Sequence, residues 1–280
     1  MTTEEQAQFK EMVRSQWTTA AEAWAVSHDT FAEASKDVTV ALADAANLKP
    51  GQRVLDLAGG TGEPSLTVAE RVSPGGTVVC TDLVPGMLAA AEANAKKRGL
   101  TNMTFELADM EQLQFPDDSF DRVTSRFGIM FPPDTQKALG EIRRVLKPGG
   151  QVTFVVWAPA AENPFFMAMN APLAAAGLLA PPPPGAPTPF RFAEPGSLRA
   201  AMNEAGFRNT EEDVHNVGWS FPSTAEEQIE FTKMTLPNIR KALEEAPPSV
   251  VEEVIASMNK HYDGKRLNYG AKIYVATAAK

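Results

Sequence analysis

Val54-Leu55-Asp56-Leu57-Ala58-Gly59-Gly60-Thr61-Gly62 joins an apolar run to a stretch with helical patterning. Glycines at such a junction allow backbone angles closed to other residues and let a ligand approach the main chain. In open α/β sheets ligands bind beyond the carboxyl ends of the strands, where this loop would lie. Asp82 ends the next apolar run, Val78-Val79-Cys80-Thr81. An ionised carboxylate there can accept both hydroxyls of a ribose. Two cofactor classes share that feature. The dinucleotide pattern G-x-G-x-x-G requires a third glycine, but counted from Gly60 the sixth position is Ser65. That weighs against a dinucleotide and leaves the reading open. The plainer alternatives are a structural turn for the loop and a helix N-cap for Asp82. Pro85 and Gly86, following at once, weaken the second.

The other side chains capable of chemistry are few. The chain has 3 histidines, His28, His215 and His261, and a single cysteine, Cys80. Cys80 sits in an apolar run and reads as a buried thiol; alone it forms no internal disulfide and excludes a cysteine-rich zinc site, so no metal is expected. Surface or satisfied packing is the default for each histidine. His28, which follows Trp24 in the N-terminal region, is the strongest candidate for a catalytic base.

These residues need a scaffold. Residues 4–46 lack Gly and Pro and repeat apolar positions at helical spacing. After Lys49-Pro50-Gly51, apolar strand runs at Arg53–Leu57, Thr77–Thr81, Met103–Leu107, Phe120–Ser125 and Gln151–Trp157 are separated by helical stretches Ser65–Val72, Gly86–Arg98 and Thr135–Leu146. Strand–helix alternation predicts βαβ units, a parallel sheet and helices on both faces. The rhythm then breaks. Pro159–Leu179 is rich in Ala, Phe and Met, and Pro181-Pro182-Pro183-Pro184-Gly185 reads as a stiff extended segment. A helix over Pro195–Ala205, a strand around Asp213–Phe221, helices over Glu226–Glu245 and Ser249–His261, and a last strand Lys272–Ala276 complete the pattern.

Composition bounds the function. Of 280 residues, 44% are hydrophobic and 22% charged, enough to bury a sizeable core. The formal charge is -9, which disfavours a nucleic-acid partner. Lys96-Lys97-Arg98 reads as the solvated end of a helix, where cations suit the dipole. No apolar run reaches the length of a membrane span, and residues 1–14 carry no signal-peptide core, so the cytoplasm is the expected location.

Three further motifs separate the cofactor classes: Leu107-Ala108-Asp109-Met110, Phe115-Pro116-Asp117-Asp118-Ser119-Phe120-Asp121, and Leu146-Lys147-Pro148-Gly149-Gly150. With these the chain resembles the class I S-adenosylmethionine-dependent methyltransferases, within them the ubiquinone/menaquinone-type (COQ5-like) small-molecule branch, over roughly residues 17–207. The resemblance implies an α/β Rossmann-like seven-stranded sheet, mostly parallel with one antiparallel strand, carrying N-terminal helices and a helical lid insertion. It divides the chain into a cap (1–50), a cofactor-binding core (51–158), a lid (159–192) and the remainder of the core with a helical insertion (193–280). It implies S-adenosyl-L-methionine as cofactor, with the loop at its methionine half, Asp82 at its ribose, Asp109 at the adenine amino group and Met110 against the ring. The full implied set is Asp56, Ala58, Gly59, Gly60, Gly62, Asp82, Leu83, Met87, Asp109, Met110, Ser125 and Arg126.

Ala58 stands where most class I members have glycine. After Gly150 the chain reads Val156-Trp157-Ala158-Pro159, where quinone methyltransferases typically carry an acidic residue and serine. The expected reaction is therefore methyl transfer to oxygen or carbon of a mostly apolar small molecule rather than quinone methylation as such. Trp17, Trp24, Phe127, Phe131, Trp157 and Phe166, with Phe165, Met167 and Met169, form the expected substrate lining, and about half of them should merely pack the cover. A dinucleotide-dependent oxidoreductase and a non-catalytic cofactor-binding protein are the alternatives. A homodimer is compatible with all three.

Overall fold

A computed structural model describes residues 2–180, 182 and 186–280. Helices α1 (Thr3–Val26), α2 (His28–Ala34) and α3 (Lys36–Ala45) precede β1 (Arg53–Leu57), α4 (Ser65–Arg71), β2 (Thr77–Asp82), α5 (Pro85–Lys97) and β3 (Met103–Leu107). Then come β4 (Phe120–Arg126), α6 (Thr135–Val145), β5 (Leu146–Trp157), a 3₁₀ turn Ala160–Glu162, α7 (Pro164–Ala175) and α8 (Ser197–Glu204). The remaining elements are β6 (Arg208–Val217), β7 (Ser220–Phe221), α9 (Ala225–Thr235), α10 (Pro237–Glu245), α11 (Pro248–Asn259), β8 (Leu267–Asn268) and β9 (Ala271–Ala279).

Seven strands form one sheet in the order β3-β2-β1-β4-β5-β9-β6. β1 to β5 pair in parallel; β9 alone runs against its neighbours, β5 and β6. The expected seven-stranded, mostly parallel fold with one antiparallel strand is what forms. The central strands are apolar because helices cover both faces: Val54, Leu55 and Leu57 of β1 and Val152 and Phe154 of β5 are at most 1% exposed. Helix ends follow local chemistry. The Asp134 carboxylate caps α6 by accepting the Lys137 N–H at 2.9 Å, and Arg143 and Arg144 occupy its last turn.

Several boundaries differ from the sequence expectation. The 4–46 run breaks into three helices, at Ser27 and Ser35, without Gly or Pro. The sixth strand is Arg208–Val217, not 213–221. Ser220–Phe221 instead pairs with β8 in a separate two-stranded sheet. The stretch 226–245 is two helices because Pro237 starts a new one. The last strand extends to Ala271–Ala279. Lys96-Lys97-Arg98 is not simply solvated: Lys97 pairs with Asp29 at 2.7 Å, and Arg98 reaches the Glu63 carboxylate at 2.5 Å. Of the proline segment 181–185 only Pro182 falls within the described residues. No helix among the described residues is long and apolar enough to cross a membrane.

Candidate cofactor and acceptor site

The loop after β1 is held by what lies beneath it. Asp56, fully buried in β1, accepts the Ser65 hydroxyl at 2.5 Å and the Thr124 hydroxyl at 2.6 Å. It ties β1 to the start of α4 and to β4. Burial pushes its carboxyl up to about 6, against the pull of those two hydroxyls. Gly59 donates its N–H to the Thr81 carbonyl at 2.8 Å. A Cβ on Gly59 would lie 2.5 Å from Cys80 Sγ and 3.2 Å from Asp56 Oδ2, so only glycine fits there. Gly60 is different. Its φ is +55°, and a Cβ there would meet no protein atom within 4 Å. The loop thus has an inner glycine required by packing and an outer glycine facing open space.

Ala58 also has φ +55°, a left-handed conformation that disfavours any side chain and explains why glycine would sit easily there. Its methyl is accommodated by Gly128, where an added Cβ would lie 2.7 Å from it. Phe127 next door has φ +62°, unusual for a bulky residue.

Asp82 closes on this loop. Its Oδ2 accepts the Gly60 N–H and its Oδ1 the Val84 N–H, both at 3.0 Å. Burial raises its carboxyl above the ordinary carboxylate range despite these donors. Leu83 and Met87 follow on the same edge and pack with Val84 and Ala21; Met87 is buried. Asp109 and Met110, after β3, lie half-buried. Both Asp109 oxygens are engaged within the protein: Oδ1 accepts the Glu111 N–H at 2.9 Å, and Oδ2 takes the Lys10 ammonium at 2.6 Å. Lys10 also reaches Glu111 at 2.7 Å. Burial opposes the charge of Lys10, but these two carboxylates outweigh it and hold the ammonium above its usual range. Lys10 therefore pins α1 across this side of the sheet. A cleft of about 510 Å³ lies beside it, bordered by Gln6, Lys10, Arg14, Leu83, Glu111 and Lys137.

Ser125 and Arg126, assigned to the cofactor by resemblance, spend their polar groups on the scaffold. The Ser125 hydroxyl donates to the Leu57 carbonyl at 2.8 Å. Arg126 donates to the Ser35 and Thr39 hydroxyls at 2.7 and 2.8 Å and to the Glu63 carbonyl at 3.0 Å, joining α3 to the loop region.

His28, at the start of α2, is 5% exposed. Its Nδ1 lies 2.9 Å from Thr61 Oγ1, inside the glycine loop. Burial lowers its pKa from the ordinary histidine value, outweighing the nearby Glu63 and Asp29 carboxylates, so the ring is neutral at neutral pH.

The expected lining residues meet in one aromatic cluster. Phe127 stacks on Trp157 with centroids 4.1 Å apart and planes at 3°. Phe166 meets Trp157 edge-on at 5.0 Å. Trp17 meets Trp24 at 5.8 Å and Phe131 at 6.3 Å, and Trp24 meets Phe31 at 4.5 Å. Phe165 stacks on Phe221 at 5.5 Å. Met169 is buried, but Met167 points outward at 36% exposure and does not line the cluster. Trp219, which the sequence reading passed over, lies at its centre: 4.9 Å from Trp157 and 5.5 Å from Phe31, and 1% exposed. Its one sequence signal is a lone tryptophan after Gly218 in a polar stretch. Lys10, Thr61, Ser65, Thr124 and Gly128 were also missed; Thr61 alone was findable, by its place inside the loop. Among the described residues no group of His, Cys, Asp or Glu is placed to hold a metal.

Comparisons place this geometry among known proteins. An uncharacterized protein of Mycobacterium tuberculosis (strain H37Rv) is 44% identical over 116 residues, 41% of each chain. Demethylmenaquinone methyltransferase of Thermus thermophilus is 45% identical over 122 residues, 44% of this chain and 54% of that one. The matches thus span about half, or less, of these relatives' own length. Phosphoethanolamine N-methyltransferase 2 of Haemonchus contortus, solved with S-adenosyl-L-methionine, superposes over 97% of this chain and 60% of its own. Its TM-score is 0.57 at 20% identity, a likeness of fold. Residues 33–171 match the model of the ubiE/COQ5 methyltransferase family. Through those residues, just under half of its length, the chain is similar to the ubiE/COQ5 methyltransferase family.

Proposed function

We propose that this chain catalyses S-adenosyl-L-methionine-dependent methyl transfer to oxygen or carbon of a mostly apolar small molecule. The observation that carries the reading is the convergence of the β1 loop on the β2 acid, with the Gly60 N–H 3.0 Å from Asp82 Oδ2 and open space over Gly60. These features suit the cofactor: Gly60 leaves a cradle that a Cβ would fill, and Asp82 can turn its oxygens to ribose hydroxyls. Leu83, Met87 and Met110 supply apolar surface along the same edge. Asp109 would hold the adenine amino group if Lys10 shared or yielded Oδ2.

The bound cofactor supplies an electrophilic methyl group on a sulfonium. The residues of this chain do the rest. The aromatic cluster excludes water and offers ring faces favourable to a cation. Alignment of the acceptor in that dry setting is the main source of acceleration, worth about 7–11 kcal/mol where geometry is well held. With His28 Nδ1–H donating to Thr61 Oγ1, Nε2 carries the free lone pair and can take a proton from an acceptor hydroxyl. α7 carries Phe165 and Phe166, which pack in the cluster, and acts as its cover.

The net charge of -9 favours a small molecule over nucleic acid and phosphorylated acceptors, and we place the reaction in the cytoplasm. Homodimer formation is the oligomeric state to check by light scattering. The deciding experiment is titration calorimetry with S-adenosylhomocysteine and, separately, NADH, followed by transfer of labelled methyl to a panel of phenolic, enolic and amine acceptors. Tight binding of NADH with none of S-adenosylhomocysteine would replace this reading by that of an oxidoreductase.

A further inference from the structure

Lys10 can either yield Asp109 to an incoming adenine or share it, and its surroundings favour sharing. Its ammonium sits between two carboxylates, 2.6 Å from Asp109 Oδ2 and 2.7 Å from Glu111 Oε2. Glu111 holds it there, because the Glu111 side chain is only 6% exposed. Its other oxygen accepts the Asp134 N–H at 3.0 Å, and Lys10 is its one ion-pair partner among the described residues. The other cations nearby do not replace Lys10. Arg191 donates to the Pro132 and Pro133 carbonyls, Arg14 pairs with Glu11 at 2.9 Å, and Lys137 is exposed on the cleft wall. Departure of Lys10 would leave a buried carboxylate without its counter-charge, which is strongly unfavourable.

A lysine that stays still has capacity to bind. An ammonium carries three N–H donors, and two are used here. A carboxylate oxygen has two lone pairs, and Asp109 Oδ2 gives one of them to Lys10. The pair therefore keeps one donor beside one acceptor. A cavity touches it: Lys10 and Glu111 border the same cleft of about 510 Å³ as Leu83, the residue after Asp82. Lys10 reaches this cleft because Gln6, Lys10 and Arg14 fall on one face of α1. Two turns further along, Trp17 and Ala21 pack with Leu83, Val84 and Met87, so the same helix is fixed over the edge that carries Asp82. The edge of adenine presents an amino donor beside a ring-nitrogen acceptor, the reverse of the acceptor and donor that Asp109 and Lys10 hold side by side.

We propose that Lys10 reads the cofactor's adenine together with Asp109: the carboxylate accepts the exocyclic amino group, and the third N–H of the Lys10 ammonium donates to a ring nitrogen next to it, N1 or N7. This rests on the methyl-transfer reading for the identity of the ligand. It makes α1 a wall of the cofactor site, and it gives Glu111 the task of keeping Lys10 in place.

The test is titration calorimetry of the whole chain with S-adenosylhomocysteine and its 1-deaza and 7-deaza analogues, in each of which a C–H replaces one ring nitrogen. The wild type should bind one of the two analogues about tenfold more weakly, the worth of one hydrogen bond to a charged donor. Lys10→Met keeps an unbranched stem and removes the donor. It should bind S-adenosylhomocysteine about tenfold more weakly and that analogue no worse than S-adenosylhomocysteine. Any effect of the deaza change on the purine itself is common to both proteins and cancels in the comparison. A merely structural lysine would weaken all three ligands by the same factor and leave every deaza penalty in place, which overturns the proposal. Tighter binding of S-adenosylhomocysteine by Lys10→Met would show that the lysine blocks the seat, and overturns it too. If Lys10→Met fails to fold, the Lys10 Nζ nitrogen resonance of the wild type decides: it must shift with S-adenosylhomocysteine and less with the analogue that lacks its partner, and equal shifts overturn the proposal. The two readings fail differently. No binding of S-adenosylhomocysteine to the wild type removes the cofactor and this role of Lys10 with it, whereas tight binding with no penalty for either analogue removes only Lys10.

Discussion

Asp56→Asn isolates the buried carboxylate beneath the glycine loop. In the fold its carboxyl is raised from an ordinary 3.8 to about 6 by burial, because two hydroxyl donors replace only part of its lost hydration. Ionising it in the folded protein therefore costs about 3 kcal/mol more than in the unfolded chain, at ~1.4 kcal/mol per tenfold. The sign is fixed by proton uptake. Between the two values the folded state binds more protons than the unfolded one, so stability contributed by Asp56 is full below pH 3.8 and declines as pH rises through about 6. Asparagine is similar in size to the carboxyl and does not titrate. The unfolding free energy of Asp56→Asn, measured by urea denaturation, should gain on that of the wild type by about 2 kcal/mol between pH 4 and pH 8. The variant should keep the loop in place if Ser65 and Thr124 reorient. A difference between the two proteins that does not change with pH would refute the argument that burial outweighs the hydroxyl donors.

Three further outcomes bear on the site. Asp82→Ala should weaken S-adenosylhomocysteine binding by about 1–3 kcal/mol in a protein that still folds, since two ribose hydroxyls lose their acceptor; wild-type affinity by calorimetry would remove Asp82 from the site. Gly59→Ala should lower the melting temperature, because its methyl strikes Cys80 Sγ and Ser65 Oγ, whereas Gly60→Val should leave a folded protein that no longer binds the cofactor. Equal effects of the two on stability and binding would refute the division into inner and outer glycines. His28→Ala should lower kcat on a hydroxyl acceptor by about 10²–10⁴-fold with cofactor affinity unchanged. In the wild type, activity should rise with pH through a value below the usual histidine 6.5; a flat profile would dismiss His28 as base.

The central half of the sheet was legible because its strands are apolar on both faces, a pattern that buried parallel strands share. β6 was placed late because it is an edge strand of exposed and half-buried polar residues, Arg208 to Val217, with little periodic signal. The helix breaks at Ser27 and Ser35 carry no Gly or Pro and follow from tertiary packing, which local propensity does not record. Within the site, Asp82 and the loop were readable from type and spacing. The engagement of Asp109 by Lys10, 99 positions away, was not. Nor was Trp219, whose partners come from α2, the ends of β4 and β5, α7 and β7.

The placement of β9 between β5 and β6 bears on how the chain is born. β6 finds its sheet partner only in residues 271–279, after the intervening stretch 218–270 has been made. At ~5–20 residues per second on a ribosome, that stretch of 53 residues takes roughly 3–10 s. During that interval β1 to β5 can assemble as a parallel sheet, while one side of β5 stays open to any strand that reaches it first. Trp219 and Phe221 emerge in the same interval, before β8 and β9 exist to hold them. The nascent chain therefore shows a bare strand edge and unsheltered rings together for several seconds, and a holdase chaperone would have its target there.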